Sequence, residues 1–110
     1  MKVSRITVSA SVLIASAFVS GAAMADEHLV SQKNKSFSVK KLKLKVGDSI
    51  KFVNEDGFAH NVFSLSAAKS FDTGSFGSGQ ARSVVFDKAG AVEVECAVHP
   101  DMRLDVEVAP

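Results

Sequence analysis

The 110-residue chain contains no Trp and no Tyr, a single Cys and only two Pro. One Cys excludes an internal disulfide framework and any Cys-rich zinc module. Opposite charges nearly cancel, 13 Lys and Arg against 12 Asp and Glu, which excludes the strongly basic profile of a nucleic-acid binder. The apolar run over residues 6–19 is 14 residues long, short of the roughly 20 that a membrane-spanning helix needs. The length supports one folded domain, not two. No internal repeat or low-complexity tract interrupts it.

What is present begins with an export signal. Lys2 and Arg5 precede the apolar run, and Ala23-Met24-Ala25 follows it with small residues at the two positions a signal peptidase reads. This layout predicts a signal peptide over residues 1–25, cleavage after Ala25, delivery to the periplasm, and a mature domain over residues 26–110 with no membrane span. In the mature part the charge is uneven: residues 26–53 hold seven Lys and three acids, and residues 54–110 hold four Lys or Arg and nine acids. Such a division orients encounters with a charged partner.

Period-two alternation dominates the mature part, so the expected fold class is all-β. Residues 39–46 place Leu42, Leu44 and Val46 on one side and Lys41, Lys43 and Lys45 on the other, the pattern of a half-buried antiparallel strand whose Lys-rich face blunts an exposed edge. Further strands are expected at residues 28–32, 49–54, 60–65, 81–87, 92–96 and 104–108. Residues 66–80, rich in Ser and Gly, read as a loop with one helical turn at Ala67-Ala68-Lys69. Seven to eight short strands with turn signals between them imply a Greek-key β-sandwich.

The chemistry is concentrated in Cys96-Ala97-Val98-His99-Pro100-Asp101-Met102. A thiolate, an imidazole and a thioether occur there at C-x2-H-x2-M, between two expected strands, and His60-Asn61 stands upstream where a loop enters a strand. A lone Cys is more often a small buried hydrophobe, and a lone Met is more often core filler. Together these four residues form the soft donor set that selects copper, with one Cys and two His as a trigonal group and Met in the weak axial position. His28 has no ligand at useful spacing in the sequence and reads as an exposed strand residue.

The segment Cys96-x2-His99-Pro100-x-Met102 resembles the copper loop of the cupredoxins, the type 1 or blue copper proteins, and its short His-to-Met interval is similar to that of the amicyanin-like members more than the plastocyanin-like ones. Residues 46–56, Phe58-Ala59-His60-Asn61-Val62 and Phe71-Asp72-Thr73-Gly74 also resemble the family. The resemblance implies a cupredoxin sandwich and one copper ion cycling between Cu(I) and Cu(II). Its ligands would be His60, Cys96 and His99, with Met102 axial, and Asn61 would tie the two ligand loops together.

It further implies a one-electron carrier, not an enzyme. Such carriers act as monomers and meet a dehydrogenase, a cytochrome c or an oxidase only transiently. Electron exit is expected at His99, within an apolar patch of Phe58, Val98, Pro100 and Phe76, rimmed by Glu55, Asp56 and Asp101. Ser38 and Ala59 depart from residues common in relatives, and the absence of Tyr removes the tyrosine-side route of plastocyanin. The alternative function is a periplasmic copper chaperone or sequestration protein using the same ligands. A Cys-His hydrolase is a poor match, since no paired base or oxyanion-binding element is discernible.

Overall fold

The computed structural model describes residues 24–110; residues 1–23 of the expected signal segment lie outside the described residues. Nine strands follow in order: β1 Glu27–Lys33, β2 Ser36–Phe37, β3 Lys41–Lys45, β4 Ser49–Asn54, β5 Phe63–Ser66, β6 Lys69–Asp72, β7 Ala81–Val85, β8 Gly90–Glu95 and β9 Arg103–Ala109. They build a four-stranded sheet, order β2-β1-β4-β7, and a five-stranded sheet, order β3-β9-β8-β5-β6. The expected all-β cupredoxin sandwich is the fold observed, with more strands than the seven to eight read from the sequence.

The core follows from alternation. In β9, Leu104, Val106 and Val108 are buried while Arg103, Asp105 and Glu107 are exposed; in β4, Ile50 and Phe52 point inward. Phe86, Val30, Val92 and Val94 fill the space between the sheets. Each fully buried side chain of this size contributes about 1.5–3 kcal/mol by leaving water.

Four expectations require correction. Residues 39–46 shorten to β3, which pairs parallel to β9, Lys41 opposite Asp105 and Leu44 opposite Val108, and not antiparallel. Val46 lies outside the strand and is exposed. Alternation specifies which face a residue takes but not the direction of its neighbour. The Lys-rich strand does occupy a sheet edge. The helical turn at residues 67–69 is instead the tight turn of the β5–β6 hairpin, Ser66 opposite Lys69. The strand expected over residues 60–65 begins only at Phe63, while His60 forms an isolated bridge with Phe76.

The turn between β1 and β2 matters for the site. Asn34 and Lys35 both have positive φ, 54° and 56°, the conformation that a two-residue hairpin turn demands. It is costly for a Lys. The Asp56 carboxylate offsets that cost by accepting the N–H of Asn34 at 2.7 Å and of Lys35 at 3.1 Å.

Candidate metal centre

Cys96 follows β8 directly, and the seven residues from it to Met102 form the loop into β9. The antiparallel register of β8 and β9, Glu95 opposite Arg103, closes this loop at its base. Within it the Met102 N–H donates to the His99 carbonyl at 2.9 Å, a tight turn over His99-Pro100-Asp101-Met102. His60 comes from the other side, fixed by two backbone hydrogen bonds with Phe76, at 3.1 and 2.8 Å. The Asn61 side-chain Oδ1 accepts the Ala97 N–H at 2.7 Å, tying the His60 segment to the Cys96 loop. Asn54 braces the same end, donating from Nδ2 to the carbonyls of Phe58 and Phe76.

Three donor atoms converge. Cys96 Sγ lies 3.6 Å from His60 Nδ1 and 3.9 Å from His99 Nδ1, and the two Nδ1 atoms are 3.2 Å apart. Donors bound at about 2.0–2.3 Å around one metal are roughly 3.3–4 Å apart; the two sides from Cys96 Sγ fall in that range and the Nδ1–Nδ1 side is slightly shorter, so the triangle is close to the dimensions of a metal site. Cys96, His60 and Met102 are all buried, and His99 is half-exposed. The sequence-predicted ligands are thus brought to one end of the sandwich, with Met102 joined through its backbone to His99.

Electrostatics prepare the imidazoles. The His60 Nε2–H donates to Asp56 Oδ2 at 2.7 Å, which leaves Nδ1 with its lone pair facing Cys96. Burial acts to raise the Asp56 pKa, but the hydrogen bonds from His60, Lys35 and Asn34 outweigh it and hold the carboxyl below its ordinary value. Burial and the neighbouring His60 push His99 below the ordinary imidazole value, so it is neutral and available as a donor near neutral pH. Phe58 packs against both rings, with centroids 5.3 Å from His60 and 5.2 Å from His99.

Some assignments change. Asp56, expected at the rim of the surface patch, is buried and bound to His60. Phe76, expected in the patch, is buried. Phe58, Val98 and Pro100 are exposed beside His99. Lys35 was missed: its Nζ lies 5.9 Å from the Phe58 ring centroid. His28 is half-buried, not exposed, with Nε2 3.2 Å from Asp48 Oδ2.

Comparison with known proteins agrees with this geometry. The profile of the copper binding proteins of the plastocyanin/azurin family matches residues 25–109. The methylamine utilization protein MauL of Methylorubrum extorquens is 33% identical over 90 residues, covering 79% of this chain and 77% of MauL. A mutant of amicyanin solved in the Cu(I) form superposes with a TM-score of 0.68 at 26% identity, covering 74% of this chain and 80% of amicyanin. The copper-containing nitrite reductase of Thermus scotoductus superposes with a TM-score of 0.70 at 28% identity over 76% of this chain, but the match spans only 22% of the reductase. The donor triangle and these likenesses agree on copper as the cofactor, and the chain belongs to the plastocyanin/azurin family of copper-binding proteins.

Proposed function

We propose that the mature chain, residues 26–110, is a periplasmic type 1 copper protein that carries single electrons between transient redox partners and performs no catalysis of its own. His60, Cys96 and His99, together with Met102, would hold the copper ion. The observation that carries this reading is the triangle of Cys96 Sγ and the two Nδ1 atoms, with sides of 3.2–3.9 Å. A bound copper ion supplies a one-electron Cu(II)/Cu(I) couple.

The chain's own residues supply rigidity and access. His60 is held by Asp56 and the bridge to Phe76, and Cys96 sits at the end of β8 with its loop pinned by Asn61. Fixed ligands change little between oxidation states, which keeps the reorganisation barrier low. Cys96, His60 and Met102 are each buried to within 1% of full exclusion from solvent, leaving no open position for a substrate. Only the His99 edge approaches the surface, framed by Phe58, Val98 and Pro100. A small apolar contact of this kind suits short-lived encounters with a dehydrogenase, a cytochrome c or an oxidase. The relatives support this direction: one is named for methylamine utilization, and amicyanin is a protein of the same fold solved with Cu(I).

The test is optical. Cu(II) added to the mature apo-protein is expected to give an intense visible band from the Cys96 thiolate, and Cys96→Ser is expected to abolish it. A band that survives the substitution overturns the ligand assignment. Competition with a Cu(I) chelator separates this reading from a copper chaperone, which would release its metal readily.

A further inference from the structure

His28 is the one histidine that the copper centre does not use. It lies near the start of β1, which runs parallel to β4 with Glu27 opposite Ser49 and His28 opposite Ile50. That pairing places the first residues of the domain against the turn before β4, which carries Asp48. The Asp26 backbone nitrogen is 2.9 Å from Asp48 Oδ1, and His28 Nε2 is 3.2 Å from Asp48 Oδ2. The side-chain carboxylates of Asp26 and Asp48 and the His28 ring also each offer a ligand atom within 4.8 Å of the others.

The sequence adds an independent donor. Cleavage after Ala25 converts the Asp26 nitrogen from a peptide N–H into a free α-amine, two residues before an imidazole. An amine and a histidine at the first and third positions of a chain are strong nitrogen donors for Cu(II) and Ni(II), which favour tetragonal N,O surroundings. We propose that the mature amino terminus is a second cation site, in which the Asp26 α-amine, His28 Nε2 and the Asp48 carboxylate bind Cu(II). The proposal rests on processing after Ala25.

Geometry supports it. The Asp26 nitrogen and His28 Nε2 stand against the two oxygens of one carboxylate, Oδ1 at 2.9 Å and Oδ2 at 3.2 Å, so a single Asp48 side chain gathers both nitrogens within reach of one cation. Asp48 is 2% exposed and is further anchored by the Lys45 N–H at 3.0 Å, so the oxygen donor is rigid. Its pKa is lowered to about 2 by hydrogen bonds from the Asp26 and Lys45 N–H groups, which keeps it ionised. His28 is partly exposed, giving an ion access. The Asp26 side chain is a weaker fourth donor, because Lys45 Nζ stands 3.9 Å from its Oδ2. No residue is shared with the Cys96 centre, and the seven residues of β1 separate the two by roughly 20 Å.

The experiment titrates Cu(II) into mature protein whose Cys96 site is already filled. A second equivalent is expected to bind with a wide, tetragonal hyperfine pattern in paramagnetic resonance and no gain in the visible thiolate band. His28→Gln, whose amide keeps the hydrogen bond to Asp48, and a chain that retains Ala25 are each expected to bind this ion at least tenfold more weakly. A mature chain that takes only one copper, or two variants that take the second undiminished, overturns the site. Amino-terminal sequencing of the secreted protein tests the processing: a chain beginning elsewhere than Asp26 overturns the premise instead. Cys96→Ser is expected to lose the visible band and retain the second ion, so the two copper readings fail separately.

Discussion

Asp56 Oδ2 lies 2.7 Å from His60 Nε2, and the same carboxylate accepts both N–H groups of the left-handed Asn34-Lys35 turn. One buried charge therefore sets the tautomer of the imidazole that faces Cys96 and holds a strained hairpin beside it. Because a negative charge near the metal favours Cu(II), Asp56→Asn is expected to raise the reduction potential by tens of millivolts, about 59 mV for each tenfold change in the relative affinity for the two oxidation states. Voltammetry of the wild-type and variant proteins at neutral pH checks this, and an unchanged potential would show that the carboxylate only supports the turn.

Met102 offers a second handle on the potential. Met102→Gln is expected to retain copper and lower the potential, since an oxygen donor favours Cu(II). Met102→Leu is expected to raise it by removing the axial donor. If neither variant shifts the potential, the buried thioether is core packing and not a ligand.

Gly90 opens β8 with φ of +143°, and a Cβ built there would stand 2.8 Å from the Cβ of Ala68 in the β5–β6 turn. Gly90→Ala combines backbone strain with overpacking, and is expected to cost about 1–3 kcal/mol. Thermal unfolding of the apo-protein should record this as a fall of roughly 4–8 °C per kcal/mol.

Asp48 governs acid stability. Its carboxyl is lowered to about 2 in the fold by the Asp26 and Lys45 N–H groups, against about 3.9 in an unfolded chain. A lowered carboxylate contributes stability that is complete above the unfolded value and is lost as pH falls towards the folded one. Urea unfolding of the apo-protein is therefore expected to weaken from about pH 4 down to pH 2, and Asp48→Asn is expected to flatten that slope. An equal slope in the variant would assign the acid sensitivity to other carboxylates.

Much of this was legible in the residues. The alternation of Leu104, Val106 and Val108 placed β9 with its buried face, and the spacing from Cys96 to Met102 marked the donor loop. The partner of each strand was not legible, because a period of two is the same for parallel and antiparallel neighbours; β3 against β9 and β1 against β4 therefore required the structure. So did the pairing of His28 with Asp48, which depends on β1 lying beside β4. The strand β6, Lys-Ser-Phe-Asp, has a single large apolar residue, Phe71, packed edge-on against Phe86 at 6.1 Å, too faint a signal to separate it from loop. Asp56 looked like a solvated charge because the sequence records its type but not the fold of residues 54–60 that brings it under His60.

The place of β9 in its sheet also sets an order of events. It is the last of the described strands in chain order, yet it lies between β3 and β8, and β3 has no other neighbour in that sheet. A chain ending at Met102 would possess every donor residue and still lack the strand that joins the Lys-rich edge to the rest. Distant pairings of this kind delay folding until both partners exist. The donor residues at one end of the sandwich are thus all present in the chain before β9, and it is the pairing of β9 with both β3 and β8 that closes the sheet behind them.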